Sequence, residues 1–149
     1  ASDLLESHLH ATVKKMLSDK TVAPFIVPPS SGKFGHVKSF EVAKRGVSGT
    51  AIELAINTSD GGWLIRKELV IRDIFRLPKP KPARLKSARL FFDHQRDKLG
   101  LLSSLSIKGL GWGHGVGMQQ TRAQGWARKG LDYRSILNHY FTTVRIERM

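Results

Sequence analysis

The fold is decided by residues 36–66, which read HVKSFEVAKRGVSGTAIELAINTSDGGWLIR. Two apolar-rich runs, residues 36–44 and 50–58, have the composition of strands, and the first alternates its side chains with a period of two. A third run, residues 63–66, is joined to the second by Ser-Asp-Gly-Gly, whose glycines tolerate the positive φ that tight hairpins need. The stretch therefore predicts antiparallel hairpins.

The segment before these hairpins changes character twice. Leu5, Leu9, Val13 and Met16 recur at near-helical spacing, which predicts a short amphipathic helix within residues 1–20. Proline, serine and glycine then dominate, and such residues seldom continue a helix. Residues 21–35 are therefore predicted to be a connecting loop.

Beyond the hairpins, residues 67–77 show a helical stripe, whereas residues 89–92 and 101–108 each have the composition of a strand. Residues 78–86 are rich in proline and in lysine or arginine, and we expect them to be extended and exposed. They are either a solvated loop or an arm that docks on an acidic polymer.

The carboxy-terminal residues predict two short helices. Residues 119–129 form the first, which Gly130 ends from the position after the C-cap. Asp132 is placed to cap the second, in which apolar residues recur at helical spacing. Residues 142–146 are predicted to return as a terminal strand.

These elements predict an α+β fold with a mostly β core of antiparallel hairpins and short helices, two of them near the C-terminus. With 149 residues, a single domain over the whole chain is expected. Its parts are a helix, a loop, a region mainly of strands, and a segment with a glycine motif and two helices: residues 1–20, 21–35, 36–110 and 111–149.

Charge is the strongest compositional signal. Lysine and arginine number 25 against 12 acidic residues, so the formal net charge is +13. Such a field attracts an anionic partner, which can be nucleic acid, an anionic lipid surface or a cell-wall polymer. No run of 18 apolar residues exists, so no transmembrane segment is predicted. The absence of cysteine excludes disulfides and a thiolate zinc site.

The most informative motif is GWGHGVGM at residues 111–118, in which glycine occupies every second position. If this segment is extended, its glycines face one side and leave a bare backbone surface. Trp112, His114, Val116 and Met118 then face the other side. The segment has no G-x-G-x-x-G register, and no Gly-Lys-Ser or Gly-Lys-Thr follows it, so a nucleotide phosphate cradle is not expected.

This motif resembles the signature of the SpoIID (stage II sporulation protein D) and amidase-enhancer family of bacterial cell-wall proteins. The resemblance runs from about residue 109 to residue 144. It includes Gln120, the small residues of the following helix, and an aliphatic, histidine and aromatic ending: Ala123, Gly125, Ala127, Gly130, Ile136, Leu137, His139, Tyr140 and Phe141.

The resemblance implies a lytic transglycosylase that binds and cleaves peptidoglycan glycan strands lacking stem peptides, outside the cytoplasm. It implies no cofactor, and no metal site is carried over. Other members enhance cell-wall amidases, so glycan strands, other anionic wall polymers and an amidase are the expected partners. The implied substrate-binding residues are Trp112, Gly113, His114, Gly115 and Gln120.

Each of these side chains also has a purely structural interpretation. The Trp112 ring can stack on a sugar face or pack into the core. His114 can handle a proton or brace a turn. Gln120 can hydrogen-bond N-acetyl sugars or cap local backbone.

The chain departs from the family in one respect that matters for catalysis. Members carry a catalytic glutamate in a helix that reads approximately Glu-x-Leu-Lys-Ala-Gln-Ala-Val-Ala-Ala-Arg-Thr-Tyr, and this helix is not found here. Glu6 is the only early candidate, and we interpret it as a residue of a polar helix face. Two explanations stay open: the chain is the carboxy-terminal portion of such a domain, or it is a non-catalytic amidase-enhancer or cell-wall-binding module. A basic nucleic-acid-binding domain is the second alternative.

Overall fold

The computed structural model describes residues 2–76 and 83–147, so most of the proline-rich stretch at 78–86 lies outside the described residues. Those described residues form an α+β fold with a mostly β core of antiparallel strands and short helices, as the sequence predicts. Contacts group the chain into two compact units, Ala1–Gly115 and Val116–Met149. The expectation of a single domain stays a prediction.

The first unit is built on a four-stranded antiparallel sheet. Its strands are β1 (Ile26–Val27), β2 (Val37–Arg45), β3 (Ala51–Thr58) and β4 (Gly61–Arg66), and their spatial order is β1, β4, β3 and β2. Strand β3 runs into β4 through the predicted hairpin, with Thr58 opposite Gly61. The segment at 21–35 is more than a loop, because it contains a 3₁₀ turn and the short strand β1, which pairs with β4.

Two helices pack on this sheet. Helix α1 spans Ser2–Ser18, and α2 spans Glu68–Ile74 between β4 and the next strand. The predicted stripe of α1 is confirmed, because Leu9 and Val13 are buried and their neighbours in the stripe are partly buried. Each fully buried aliphatic side chain contributes about 2 kcal/mol to folding. The central residues of the core come from β3, β4 and α2: Leu54, Ile56, Ile65, Ile71 and Ile74.

A two-stranded ribbon completes the first unit. Strands β5 (Leu90–Arg96) and β6 (Leu102–Gly109) pair antiparallel, and the Phe92 ring packs between Phe40 and Phe75 at centroid distances of 5.7 and 5.6 Å. The amide of Ala51 donates to the carbonyl oxygen of Ala88 at 2.8 Å. This bond places the residues before β5 beside the turn that joins β2 to β3.

The second unit contains the two predicted carboxy-terminal helices, α3 (Gln120–Arg128) and α4 (Tyr133–Tyr140). Gly130 ends α3 with φ +87°, and the amides of Gly130 and Leu131 donate to the carbonyl oxygens of Ala127 and Trp126. This pattern is the Schellman motif expected of a C-terminal glycine.

Asp132 caps α4 as predicted. Its carboxylate accepts from the amides of Arg134 and Ser135, and the Ser135 hydroxyl donates to it at 2.6 Å. The hydrogen bond from the Ser135 side chain, followed by the backbone bonds, lowers the pKa of Asp132. The charged form of the carboxyl therefore stabilises the start of the helix.

The prediction of a terminal strand at residues 142–146 is wrong. These residues form a turn and irregular backbone, and no described strand of the second unit lies beside them. A strand needs a partner for its backbone hydrogen bonds, so a favourable composition alone does not produce one. The described helices of the chain are all too short or too polar to cross a membrane.

Candidate functional site

The first unit ends in a surface loop formed by residues 110–115, which we call the glycine loop. Its start continues the ribbon, because the Leu110 amide donates to the carbonyl oxygen of Arg89 at 3.0 Å. The Ser87 hydroxyl donates to the Leu110 carbonyl oxygen at 2.6 Å, and the Gly113 amide donates to the Lys86 carbonyl oxygen at 2.8 Å. Three hydrogen bonds therefore fix the loop along residues 86–89.

The glycines of the motif do not form a strand, so the prediction of an extended segment with a bare glycine face is wrong. Gly111, Gly113 and Gly115 have φ values of +77°, +118° and +73°. Residues with side chains rarely adopt these angles, whereas glycine adopts them at little cost. Each glycine therefore turns the chain, and the alternation produces a series of bends.

Gly115 also lies against the turn between β2 and β3. A Cβ atom at this position would overlap the Thr50 Oγ1 atom and lie 3.2 Å from the Ser48 Oγ atom. Thr50 is buried, and its hydroxyl is in turn bonded to Ser48 at 3.0 Å. Only a residue without a side chain fits here, so Gly115 fixes the far end of the loop.

Trp112 lies on the surface of this loop and is 79% exposed. The Lys86 Nζ atom is 4.6 Å from the centroid of its ring, a cation–π distance. Of the two interpretations that the sequence left open for this tryptophan, the buried one is excluded. His114, two residues on, is exposed, whereas Gly113 between them is half-buried.

Gln120 belongs to the second unit, where it is the first residue of α3 and is exposed. Its neighbour Gln119 takes the N-cap position and uses no side-chain hydrogen bond to do so. The interpretation of Gln120 as the cap of this helix is therefore not what the structure shows. Of the five residues expected to bind substrate, the structure brings together the four from Trp112 to Gly115.

Lys86 was not predicted as a site residue, although it ends the cationic stretch at 78–86 that the sequence marks as exposed. Its place over the Trp112 ring depends on the hydrogen bond between the Gly113 amide and its own carbonyl. That contact joins residues 27 positions apart, so no local pattern indicates it. The available signal was the charge of the stretch alone.

A second polar feature of the first unit is an open cleft of about 370 Å³ around Glu6. The Glu6 carboxylate accepts from the Val37 amide at 2.8 Å and faces the His36 Nδ1 atom at 3.1 Å. It therefore connects α1 to the start of β2 and does more than occupy a polar helix face. The remaining lining residues are Ser7, His10, Phe34, Gly35 and Asp60.

This cleft and the glycine loop lie at opposite ends of the four-stranded sheet. The cleft adjoins the Ser59–Asp60 turn after β3, since the His36 amide donates to the Ser59 hydroxyl at 3.0 Å. The loop adjoins Thr50, just before β3 begins. The eight residues of β3 separate the two places, which is about 26 Å at the usual rise per residue. Glu6 is therefore out of reach of a bond held at Trp112.

Metal binding has no obvious place in the described ranges 2–76 and 83–147. They contain no group of three or more histidine, aspartate or glutamate side chains arranged to hold an ion. The glycine loop and Lys86 together offer an exposed indole, an imidazole and an ammonium group on a backbone held by hydrogen bonds.

Comparison with curated proteins and with solved structures finds no match. One family model does match, that of a domain of unknown function designated DUF8618, over residues 8–117. The matched region begins inside α1, contains both sheets and ends two residues after the glycine loop. Because it covers most of the chain, the protein belongs to the DUF8618 family.

Proposed function

We propose that this chain is the glycan-binding part of a SpoIID-like peptidoglycan lytic transglycosylase, acting outside the cytoplasm on strands that lack stem peptides. The observation that carries the proposal is the Trp112 ring, 79% exposed on a loop whose backbone is fixed at both ends. The resemblance of residues 109–144 to the SpoIID and amidase-enhancer family supplies the ligand class.

The exposed indole suits a sugar ring for two physical reasons. It is large, rigid and amphipathic, so it buries apolar area against the C–H face of a sugar while its N–H stays wet. The hydrogen bonds to Lys86 and Arg89 hold the loop before any ligand arrives, and a preformed site loses less entropy on binding. His114, two residues after Trp112 in the same loop, adds an exposed imidazole, which is a group that can donate and accept hydrogen bonds.

Cleavage needs a carboxyl group that the glycine loop does not contain. A glycosidic bond needs a carboxylic acid within hydrogen-bond reach of its oxygen. Glu6, the only early candidate, lines the cleft at the other end of β3, a strand about 26 Å long at the usual rise per residue. Its carboxylate already accepts a hydrogen bond from the Val37 amide. This position favours the second candidate function, an amidase-enhancer or cell-wall-binding module that holds glycan without cutting it.

Binding is tested by co-sedimentation with purified peptidoglycan from which an amidase has removed the stem peptides. We expect Trp112→Ala to weaken binding roughly tenfold or more, as expected for a central aromatic anchor. Leu99→Ala is the matched control, since Leu99 is 82% exposed but lies between β5 and β6, at the far end of the ribbon. Equal binding by the Trp112 variant and the wild type, or a wild-type protein that stays wholly in solution, would reject the proposal.

Cleavage is tested separately by measuring soluble glycan fragments released from the same material. If fragments appear, Glu6→Gln identifies the acid. A release rate that falls with Glu6→Gln would place the chemistry in the cleft, whereas a rate that is unchanged requires an acid elsewhere. No release, together with a higher rate for a cell-wall amidase added to the mixture, is the result that the enhancer function predicts.

A further inference from the structure

A second exposed aromatic ring with its own cation lies near the glycine loop. Phe91, the second residue of β5, is 48% exposed, and the Arg45 guanidinium carbon is 4.9 Å from the centroid of its ring. The arrangement repeats that of Lys86 over Trp112 at 4.6 Å. The first unit therefore has two exposed aromatic rings, each with a cationic side chain over its face.

One member of each pair belongs to the same continuous stretch of backbone, residues 86–91. Lys86 and Phe91 are the ends of a segment to which the glycine loop and β6 are hydrogen-bonded, with Leu90 opposite Gly109 and the Arg89 carbonyl oxygen bonded to the Leu110 amide. Arg45 joins the same segment, because its guanidinium donates to the Leu90 carbonyl oxygen at 2.7 Å. Five steps along the chain, at the rise of an extended strand, place the Cα atoms of Lys86 and Phe91 at most about 17 Å apart.

Within the described residues, the cations of this stretch are not members of the ion pairs that the protein forms. Among residues 2–76 and 83–147, the arginines of the ion pairs are Arg66, Arg72, Arg76, Arg84 and Arg145. Those pairs do not include the four basic residues around the two rings: Arg45, Lys86, Arg89 and Lys108. An exposed row of charges without carboxylate partners attracts an external anion.

We propose that residues 86–91 and the glycine loop together form an extended site for a glycan whose rings carry carboxylates. Sugar rings stack on Trp112 and Phe91, and the side chains of Lys86 and Arg45 pair with the carboxylates. This inference rests on the proposed function and deepens it. Hydrolysis of the amide that links a stem peptide to its sugar leaves a free carboxylate on that sugar. A denuded strand, from which the stem peptides have been removed, is therefore a polymer of sugar rings with carboxylates at regular intervals. Such a polymer complements two aromatic rings that each have a cationic side chain beside them.

The test compares one soluble glycan in two forms, with free carboxylates and after conversion of those carboxylates to methyl esters. We expect the wild type to prefer the charged form by about tenfold at low ionic strength, since two exposed ion pairs each contribute a few-fold. Lys86→Gln and Arg45→Gln should each reduce that preference about threefold, and added salt should reduce it as well. Lys98→Gln, at the far end of the ribbon, is the control that should leave it unchanged.

Phe91→Ala provides a second test, because Arg45 also bonds two carbonyl groups and its replacement can disturb the fold. This variant should bind both forms of the glycan less well. Equal affinity of the wild type for the charged and the esterified glycan would overturn the charge inference and leave the proposed function standing. Binding to neither form would overturn both. A single-stranded oligonucleotide that binds more tightly than the charged glycan at the same ionic strength would overturn the inference in favour of nucleic acid.

Discussion

The role of Gly115 is tested by replacing it with alanine. The residue has φ +73°, and a Cβ atom there would overlap the Thr50 Oγ1 atom and approach the Ser48 Oγ atom to 3.2 Å. Thr50 is 5% exposed, so its side chain has little space in which to move. Gly115→Ala therefore introduces two separate costs, a strained backbone and a steric overlap.

The glycine loop contains a matched control for the first cost. Gly111 has nearly the same φ, +77°, but a Cβ atom there would have no neighbour within 4 Å. Gly111→Ala should lower the free energy of unfolding by about 1 kcal/mol, the cost of a left-handed conformation for alanine. Gly115→Ala should lower it by about 1–3 kcal/mol more, the usual cost of an overpacked site.

The assay is urea unfolding followed by far-ultraviolet circular dichroism for both single variants and for the double variant Gly115→Ala, Thr50→Ala. Removing the Thr50 hydroxyl should recover most of the extra loss in the Gly115 variant, because it removes the overlapping atom. Equal losses for the two glycine variants, or no recovery in the double variant, would refute the inferred contact between the loop and the β2–β3 turn.

Three further predictions concern carboxylates. Glu6→Ala leaves the amide of Val37 without its hydrogen-bond partner and should lower the free energy of unfolding in urea by about 1–3 kcal/mol. Glycan binding should be unchanged, and a loss of glycan binding in the folded variant would place the binding site in the cleft instead. Burial raises the pKa of Asp73, but hydrogen bonds from Arg84 and Arg76 outweigh burial, so the pKa of the folded protein is lowered. The charged Asp73 carboxylate therefore stabilises the fold at pH values above its unfolded-state pKa of about 4, and this stabilisation is lost as the pH falls through the lower pKa of the folded state. Unfolding at a series of pH values should show that the difference between wild type and Asp73→Asn shrinks below about pH 4, and a difference independent of pH would contradict this. Asp132→Ala removes a helix cap and should cost about 1 kcal/mol, seen as faster amide exchange in α4, while Asp132→Ser should retain most of the protection.

The elements with a strong local period were predictable from the sequence. The alternation in residues 36–44 and the glycines before Trp63 indicate β2 and the β3–β4 hairpin, which the structure contains. The same holds for Gly130 and Asp132, because a helix end and a helix cap depend on a few neighbouring residues. Strand β1 escaped prediction, since two residues show no period.

The glycine motif shows where a period misleads. Alternate glycines at residues 111–118 match the period of a strand, but a residue without a side chain is also the one most able to leave the extended conformation. The loop that holds Gly111, Gly113 and Gly115 at positive φ is bonded to Lys86 and Ser87 and lies against Thr50, and these partners are distant in sequence. The exposure of Trp112 follows from that geometry and from no local pattern.

The two pairs of an aromatic ring and a cation could not be predicted from the sequence for a related reason. Lys86 and Trp112 meet because the glycine loop returns along residues 86–89, just before β5. Arg45, at the end of β2 in the four-stranded sheet, reaches Phe91 in the two-stranded ribbon. The net charge of +13 indicates an anionic partner but assigns no place for it. The position of the proposed site therefore required the tertiary structure.

The central claim, that the Trp112 ring binds glycan, is tested most directly by the indole N–H signals in a ¹⁵N NMR titration with a soluble denuded glycan. The chain has three tryptophans, and Trp63 is buried with its indole bonded to the Lys33 carbonyl oxygen at 3.3 Å. Trp112→Phe assigns the signal of the exposed ring. We expect the Trp112 signal to shift progressively with glycan while that of Trp63 stays fixed. Saturable binding that leaves the Trp112 signal in place would contradict the account.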